Sequence, residues 1–553
     1  MTEVFRAPSG RGQPLERIAS TGSELEVVRQ STRDVDSQQR YSFHQPSAYD
    51  SQRSARQMEM VIPVLPLTQP ESSSSYKGRF RVWPGILLLT FIVGASVALI
   101  ATQAKVARDN AEQRAAAYQL TALGRRSIDG KNGGVNVADD GQLNNPVTYS
   151  TQSCAQVDYQ SKNGKIFVVA PNGTEIPISI KGTNWFGMET GNAVPFGLWT
   201  NDRNGTTAYE VADFLSRNKY NAVRVPVCIT SILKNTPPRE GLVNVALNRA
   251  MDLTNYITTL QSVIKALAYR NIGVLISLHT LTTTVSGGNW YDAKLGISQD
   301  DFLDAVDILT KNLCSAKYWN IMGLDLKNEP HETTWDDWVK GSAIIAARMH
   351  AGCPNWMGFV EGINAAHKMT IDGTEWSYFD WWGGGLQGAK TNPAVFQKPN
   401  KLVYAPHYYN TAVSPQPYLY GPKNAELDDE TLRRRVQASS EDMFGFLVTA
   451  KTDSVVLGEF AGLYKGDQSP KLTIRRTTDF LIEVMVAEGY AGGFMWSLNP
   501  ESAYQYNPAP GTYHEGLLED DWLTSNTVFL KGMAAMDKLP DLKPWPCIPP
   551  KKP

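Results

Sequence analysis

A strong charge of either sign is what this sequence most plainly lacks. Over 553 residues, 53 Lys and Arg face 55 Asp and Glu, a formal net charge of −2. Without a basic surplus there is no electrostatic footprint for nucleic acid. Cysteine is sparse at five residues and histidine at seven. There is no His-Glu-x-x-His and no Cys-x-x-Cys, so no metal is implied. A Gly-x-Ser-x-Gly elbow and a Gly-x-x-x-x-Gly-Lys phosphate loop are also missing, and no cofactor is implied. Aromatic side chains are plentiful, with 14 Trp and 23 Tyr. Their flat apolar faces suit core packing and stacking on sugar rings equally.

Residues 1–81 are rich in Ser, Gln, Arg and Pro, including Ser72-Ser73-Ser74-Ser75, and are expected to form a disordered tail. No charged residue occurs from Val82 to Ala104, and Gly85 to Ala101 is nearly all apolar. That is close to the roughly 20 residues a spanning helix needs, so 82–104 reads as one transmembrane helix. A cleaved signal peptide fits less well behind an 81-residue leader. Lys77, Arg79 and Arg81 are matched by Lys105, Arg108 and Arg114 across the segment, so basic flanks barely orient it. The glycosylation triplets Asn172-Gly-Thr and Asn204-Gly-Thr, with cysteines that can pair, favour a cytosolic tail and an extracytoplasmic main domain. Residues 105–154 read as a spacer, helical through Ala-rich 111–118 and then loose, and 541–553 as a Pro-rich extended tail.

Between 155 and 540, apolar strands alternate with amphipathic helices, the pattern of a parallel sheet with helical crossovers. Eight strands are expected. The first ends at Asn184-Trp185-Phe186, after a hairpin through Asn172-Gly173; the second is 222–227, the third 274–279, and the fourth ends at Glu329. The fifth is 356–361, the sixth 402–407, the seventh ends at Glu459, and the eighth is 493–496. Helices are expected at 248–270, 300–315, 335–350, 427–450 and 472–488. Eight such repeats predict a (β/α)8 TIM barrel, whose chemistry sits at the carboxyl ends of the strands.

Polar residues recur at those ends. The run Ile321 to Pro330 drives an apolar strand into Asn328-Glu329-Pro330, and Ser454 to Phe460 delivers Glu459 in the same way. Arg224, His279, His407 with Tyr409, and Trp496 occupy equivalent places in other repeats. Together with the Trp496 to Ser502 run, Trp381 to Gly388, and Ala405 to Tyr418, these residues resemble glycoside hydrolase family 5, from about Gly164 to about Leu539.

That resemblance implies a retaining hydrolase acting on internal β-1,4-glucosidic bonds of cellulose or a related β-glucan. It makes Glu329 the general acid/base and Glu459 the nucleophile. Arg224 would keep the nucleophile ionised, Asn328 would hold the sugar 2-hydroxyl, and His407 and Tyr409 would hydrogen-bond around the carboxylates. His279 would bind the same sugar, with Trp496 as its floor. Ser277 departs from the family pattern, which often has an acidic residue two before the strand-three His. Trp185, Trp199, Trp290, Trp381 and Trp382 are candidates for further platforms or for packing. Mannan, mixed-linkage or β-1,3-glucan are alternative substrates, as is glucan transfer, and a silent anchored polysaccharide receptor is an alternative of another class. A disulfide is expected between Cys314 and Cys353, near helix ends preceding neighbouring strands; Cys154 and Cys547 flank the domain as a second pair, leaving Cys228.

Overall fold

The computed structural model describes residues 82–124, 128, 145–150, 152–199 and 205–550. The expected N-terminal tail, the loose part of the spacer and the triplet at Asn204 lie essentially outside them. The chain divides into two compact units, one containing the apolar helix and the other the main domain.

The helix runs from Val82 to Gly124, 20 residues beyond the apolar segment, because nothing in Lys105 to Gly124 breaks it. Its Trp83–Arg108 stretch is long and apolar enough to cross a membrane, with a mean hydropathy of 2.3 and no part buried. The hydroxyls of Thr90, Ser96 and Thr102 donate to the carbonyls of Ile86, Ile92 and Ala98, covering the polar groups of an otherwise apolar surface.

In the main domain the barrel strands are β1 (Ile180–Asn184), β2 (Ala222–Cys228), β3 (Gly273–Thr280), β4 (Ile321–Asp325) and β5 (Met357–Val360). Next come β6, in two pieces (Leu402–Tyr404 and His407–Tyr409), β7 (Ser454–Ala461) and β8 (Gly492–Trp496). Each pairs in parallel with the next. β8 pairs with β1, which closes the ring. β6 splits at Ala405-Pro406 because Pro406 has no N–H to donate to the ladder.

Helices follow the strands at Tyr256–Tyr269, Gln299–Leu313, Trp335–Gly352 and Thr473–Glu488. The first starts later than the expected 248, since Asn255 and Thr258 form a reciprocal cap there. The expected 427–450 helix is Asp429–Ser440 and Phe446–Ala450 joined by a π turn at Glu441–Gly445. An antiparallel hairpin, Ala366–Ile371 with Thr374–Phe379, is inserted after β5.

The amino-terminal mouth of the barrel is plugged. A three-stranded antiparallel sheet (Asp158–Lys162, Lys165–Val169, Glu175–Ile178) turns through the exposed Asn172-Gly173. Its Tyr159, Ile166 and Val168 pack with Trp545 against Leu275, Met322, Phe359 and Val456 from inside the ring. The Trp545 indole donates to the Tyr159 hydroxyl at 3.0 Å, which keeps the buried N–H paired. Disulfides join Cys154 to Cys547 and Cys314 to Cys353, and Cys228 is a buried free thiol.

Candidate active site

With the lower mouth filled, the open end of the barrel is the carboxyl end, where the polar residues converge. Arg224 is the hub. It lies within β2, opposite Asn184 of β1, rather than at the strand's end, and is fully buried. Its Nε donates to Asp325 at 2.9 Å, Nη1 to Asn184 at 2.9 Å and to Glu459 at 2.5 Å, and Nη2 to Asn328 at 2.7 Å and Glu361 at 3.0 Å. Every guanidinium N–H thus finds an acceptor, the condition under which a charge tolerates burial. Burial opposes that charge, but Asp325, Glu459 and Glu361 outweigh it and hold the arginine above its usual pKa.

Glu329 stands four residues beyond β4, in the left-handed region with φ 49°. Its peptide N–H donates to Glu361 Oε2 at 2.7 Å. Glu459 lies near the end of β7, in register with His407, and accepts from the Tyr409 hydroxyl through the oxygen that Arg224 does not hold. His407 Nδ1 is 3.2 Å from Glu329 Oε1 and 3.8 Å from Glu459 Oε2. Its ring fits where side chains at Gly383 and Gly458 would intrude, since a Cβ at either position would come within 2.9 Å of it. Atoms of Glu329, His407 and Glu459 lie within 4.8 Å of one another. These three offer donor atoms that also suit a metal ion, but the Arg224 guanidinium already occupies the cation's place beside Glu459.

The protonation pattern follows from burial and neighbours. Burial, then the Glu459 charge, raises the Glu329 carboxyl against the pull of His407 and Arg224. Burial works against a proton on His407, but Glu361, Glu459 and Glu329 together raise it well above the usual range. His279 goes the other way: burial, with Arg224 and Lys327 nearby, keeps it neutral. Ser277 Oγ lies 3.4 Å from His279 Nδ1, a weaker tether than a carboxylate. Burial and the Glu459 charge keep the Tyr409 hydroxyl protonated, as a donor. Asn328 Nδ2 is buried with no partner among the described residues, and its Oδ1 is fixed by Arg224.

Trp496, at the end of β8, is half-buried and nearly parallel to Phe186 (ring centres 5.3 Å apart) and His279 (6.1 Å). Trp185, Trp290 and Trp381 are packed in the core, whereas Trp199 and Trp382 are half-buried. Trp382 stacks on His331 at 3.7 Å, and His331 Nδ1 reaches the Glu329 carbonyl at 2.8 Å.

Sequence reasoning missed four buried polar residues around the hub. Asn184 and Asp325 are the last residues of β1 and β4, Lys327 is buried with its ammonium on the Asn328 carbonyl, and Glu361 follows β5. Only Glu361 carried a readable signal, a carboxylate ending an apolar strand like Glu329 and Glu459. Burial lowers Lys327 to about 8 and, with the neighbouring Glu361, raises Asp325 to about 8.

Residues 170–502 match the family model described as cellulase (glycosyl hydrolase family 5). The chain is 31% identical over 359 residues to the major extracellular endoglucanase of Xanthomonas campestris, covering 62% of this chain and 65% of that one. It thus spans just under two thirds of that relative's length. An endoglucanase of Paenibacillus polymyxa is 27% identical over 383 residues, covering 66% of this chain and 84% of its own. A solved structure of an endocellulase from Pyrococcus horikoshii with cellotetraose aligns with a TM-score of 0.57 at 29% identity, over 70% of this chain and all of that one. The chain therefore belongs to the cellulase family, glycosyl hydrolase family 5, as a glycoside hydrolase similar to endoglucanases.

Proposed function

We propose that this protein is a membrane-anchored endoglucanase that hydrolyses internal β-1,4-glucosidic bonds of cellulose or a related β-glucan with retention. Glu459 attacks the anomeric carbon while Glu329 gives its proton to the departing glucosyl oxygen. Glu329, now a base, takes a proton from the water that opens the glycosyl-enzyme. One observation carries this reading: oxygens of Glu329 and Glu459 lie within 4.8 Å. Retaining pairs stand about 5–5.5 Å apart and inverting pairs about 6.5–9.5 Å, the latter leaving room for water between them. The environments fit the roles, with the acid raised by burial and the nucleophile clamped by Arg224 and Tyr409. Asn328 Nδ2 is free to hold the 2-hydroxyl, His279 binds the same sugar, and Trp496 is its floor.

The Trp83–Arg108 helix anchors the chain, with residues 1–81 in the cytosol and the barrel, residues 155–540, outside it. Two disulfides and the exposed Asn172 triplet support an oxidising compartment. The test is reducing-sugar release by the full chain in detergent from carboxymethylcellulose, mixed-linkage glucan, glucomannan, mannan and laminarin, with Glu459→Gln as control. NMR of the first-formed anomer reports the stereochemistry. Cleavage of carboxymethylcellulose to the β-anomer, abolished in the variant, is expected. Cleavage of mannan or laminarin instead would reassign the polymer, an α-anomer would overturn retention, and binding without turnover would make the protein a receptor.

A further inference from the structure

Glu361 belongs to no pair that the retaining reaction requires, yet it touches Glu329 directly and is linked to Glu459 through Arg224. It is the first residue after β5, fully buried, with its carbonyl held by the Trp338 indole at 2.8 Å. Its Oε2 accepts the Glu329 peptide N–H at 2.7 Å. Its Oε1 lies 3.0 Å from Arg224 Nη2 and 3.1 Å from His407 Nε2. Arg224 in turn grips Glu459 at 2.5 Å, and His407 reaches Glu329 at 3.2 Å. One carboxylate thus connects the backbone of the acid, the cation on the nucleophile and the imidazole beside both. Space for it is reserved by Gly383, at φ +75°, where a Cβ would come within 2.6 Å of Glu361 Oε2.

We propose that Glu361 is a positioning residue for the acid/base Glu329, fixing the left-handed peptide that carries it and hence its reach to the glycosidic oxygen. The physical need is specific. A non-glycine residue at positive φ persists only where its surroundings over-determine it, and Glu361 holds Glu329's peptide N–H with one carboxylate oxygen. Loss of that oxygen takes a charged acceptor from a buried N–H and lets the peptide relax toward commoner angles, carrying the carboxyl with it.

The inference rests on the assignment of Glu329 as the acid, and leaving-group dependence tests it separately from that assignment. Cello-oligosaccharides have a poor leaving group that must be protonated, whereas 2,4-dinitrophenyl β-cellobioside departs without an acid. For Glu361→Ala, kcat/KM on cellopentaose is expected to fall on the order of 100-fold, the effect of misplacing a general acid by about 1 Å. On the dinitrophenyl substrate it should fall less than about 5-fold, because acid catalysis is not called on. Glu361→Gln keeps an oxygen for the Glu329 N–H and should recover most of the cellopentaose activity, and it serves as the better-folded variant. Equal losses on the two substrates, or a Gln variant no better than Ala, would overturn the proposal. Wild-type protein inactive on both would instead overturn the hydrolase reading itself.

Discussion

Asp325→Asn should stabilise this protein at neutral pH, although it removes a carboxylate 2.9 Å from a buried arginine. Asp325 is fully buried, and burial together with the charge on Glu361 pushes its carboxyl up to about 8 despite Arg224. The unfolded chain presents it near 3.9, so folding at pH 7 takes up a proton at a penalty of about 4 kcal/mol relative to acid. A raised pKa means stability that is complete below about 4 and lost as pH climbs through about 8. Asparagine mimics the protonated acid and escapes the penalty. The variant's advantage should therefore be near zero at pH 4, reach about 4 kcal/mol at pH 7, and level off above about 8. Its Oδ1 still accepts from Arg224 Nε, so activity at pH 6 should stay within a few-fold. Urea unfolding at pH 4, 5.5, 7 and 8 with the disulfides intact, followed by Trp fluorescence, gives the series. If Asp325 is instead ionised in the fold, the substitution breaks a buried ion pair and costs about 3–5 kcal/mol near neutrality. A midpoint that falls at pH 7, or an offset that does not change with pH, refutes the argument.

Asn328→Ala removes the free Nδ2 and should lower kcat on cellopentaose by 100-fold or more with KM nearly unchanged, since the 2-hydroxyl contact tightens at the transition state by several kcal/mol. Trp496→Ala should cut kcat/KM about 10-fold through lost stacking, read most easily as weaker retardation in carboxymethylcellulose gels. Cys154→Ser with Cys547→Ser should lower stability by about 2–5 kcal/mol without altering the substrate profile, measured by urea midpoint and reducing-sugar assay.

The barrel was legible because it repeats one grammar eight times. Apolar strands buried on both faces stand out against amphipathic helices, and the observed ring places β4 and β7 where the carboxylates Glu329 and Glu459 mark the strand ends. The hairpin after β5 went unread even though Asp372-Gly373 joins its strands at a two-residue turn. Its burial alternates only weakly, being partly exposed on both strands, so the pattern that betrays a strand is faint there. In the site, the residues singled out stand mostly at or near strand ends, with Arg224 inside β2 as the exception. Asp325 and Asn184 close β4 and β1 but stand among apolar letters, Leu324 and Leu326 or Trp185 and Phe186, where a single polar letter says nothing of the partner that justifies it. Lys327 reads as an ordinary lysine until the fold shows its ammonium sealed against the Asn328 carbonyl.

The disulfide between Cys154 and Cys547 has a mechanical meaning as well. It joins residues 393 positions apart, at the start and finish of the folded domain, and Ala155 N–H pairs with the Ile548 carbonyl alongside it. Tension applied to the chain before Cys154 and after Cys547 passes across one covalent bond and leaves the strand ladders between them slack. A pulling experiment from the two ends should find the oxidised domain inextensible, and only reduction would let the eight strands feel the load.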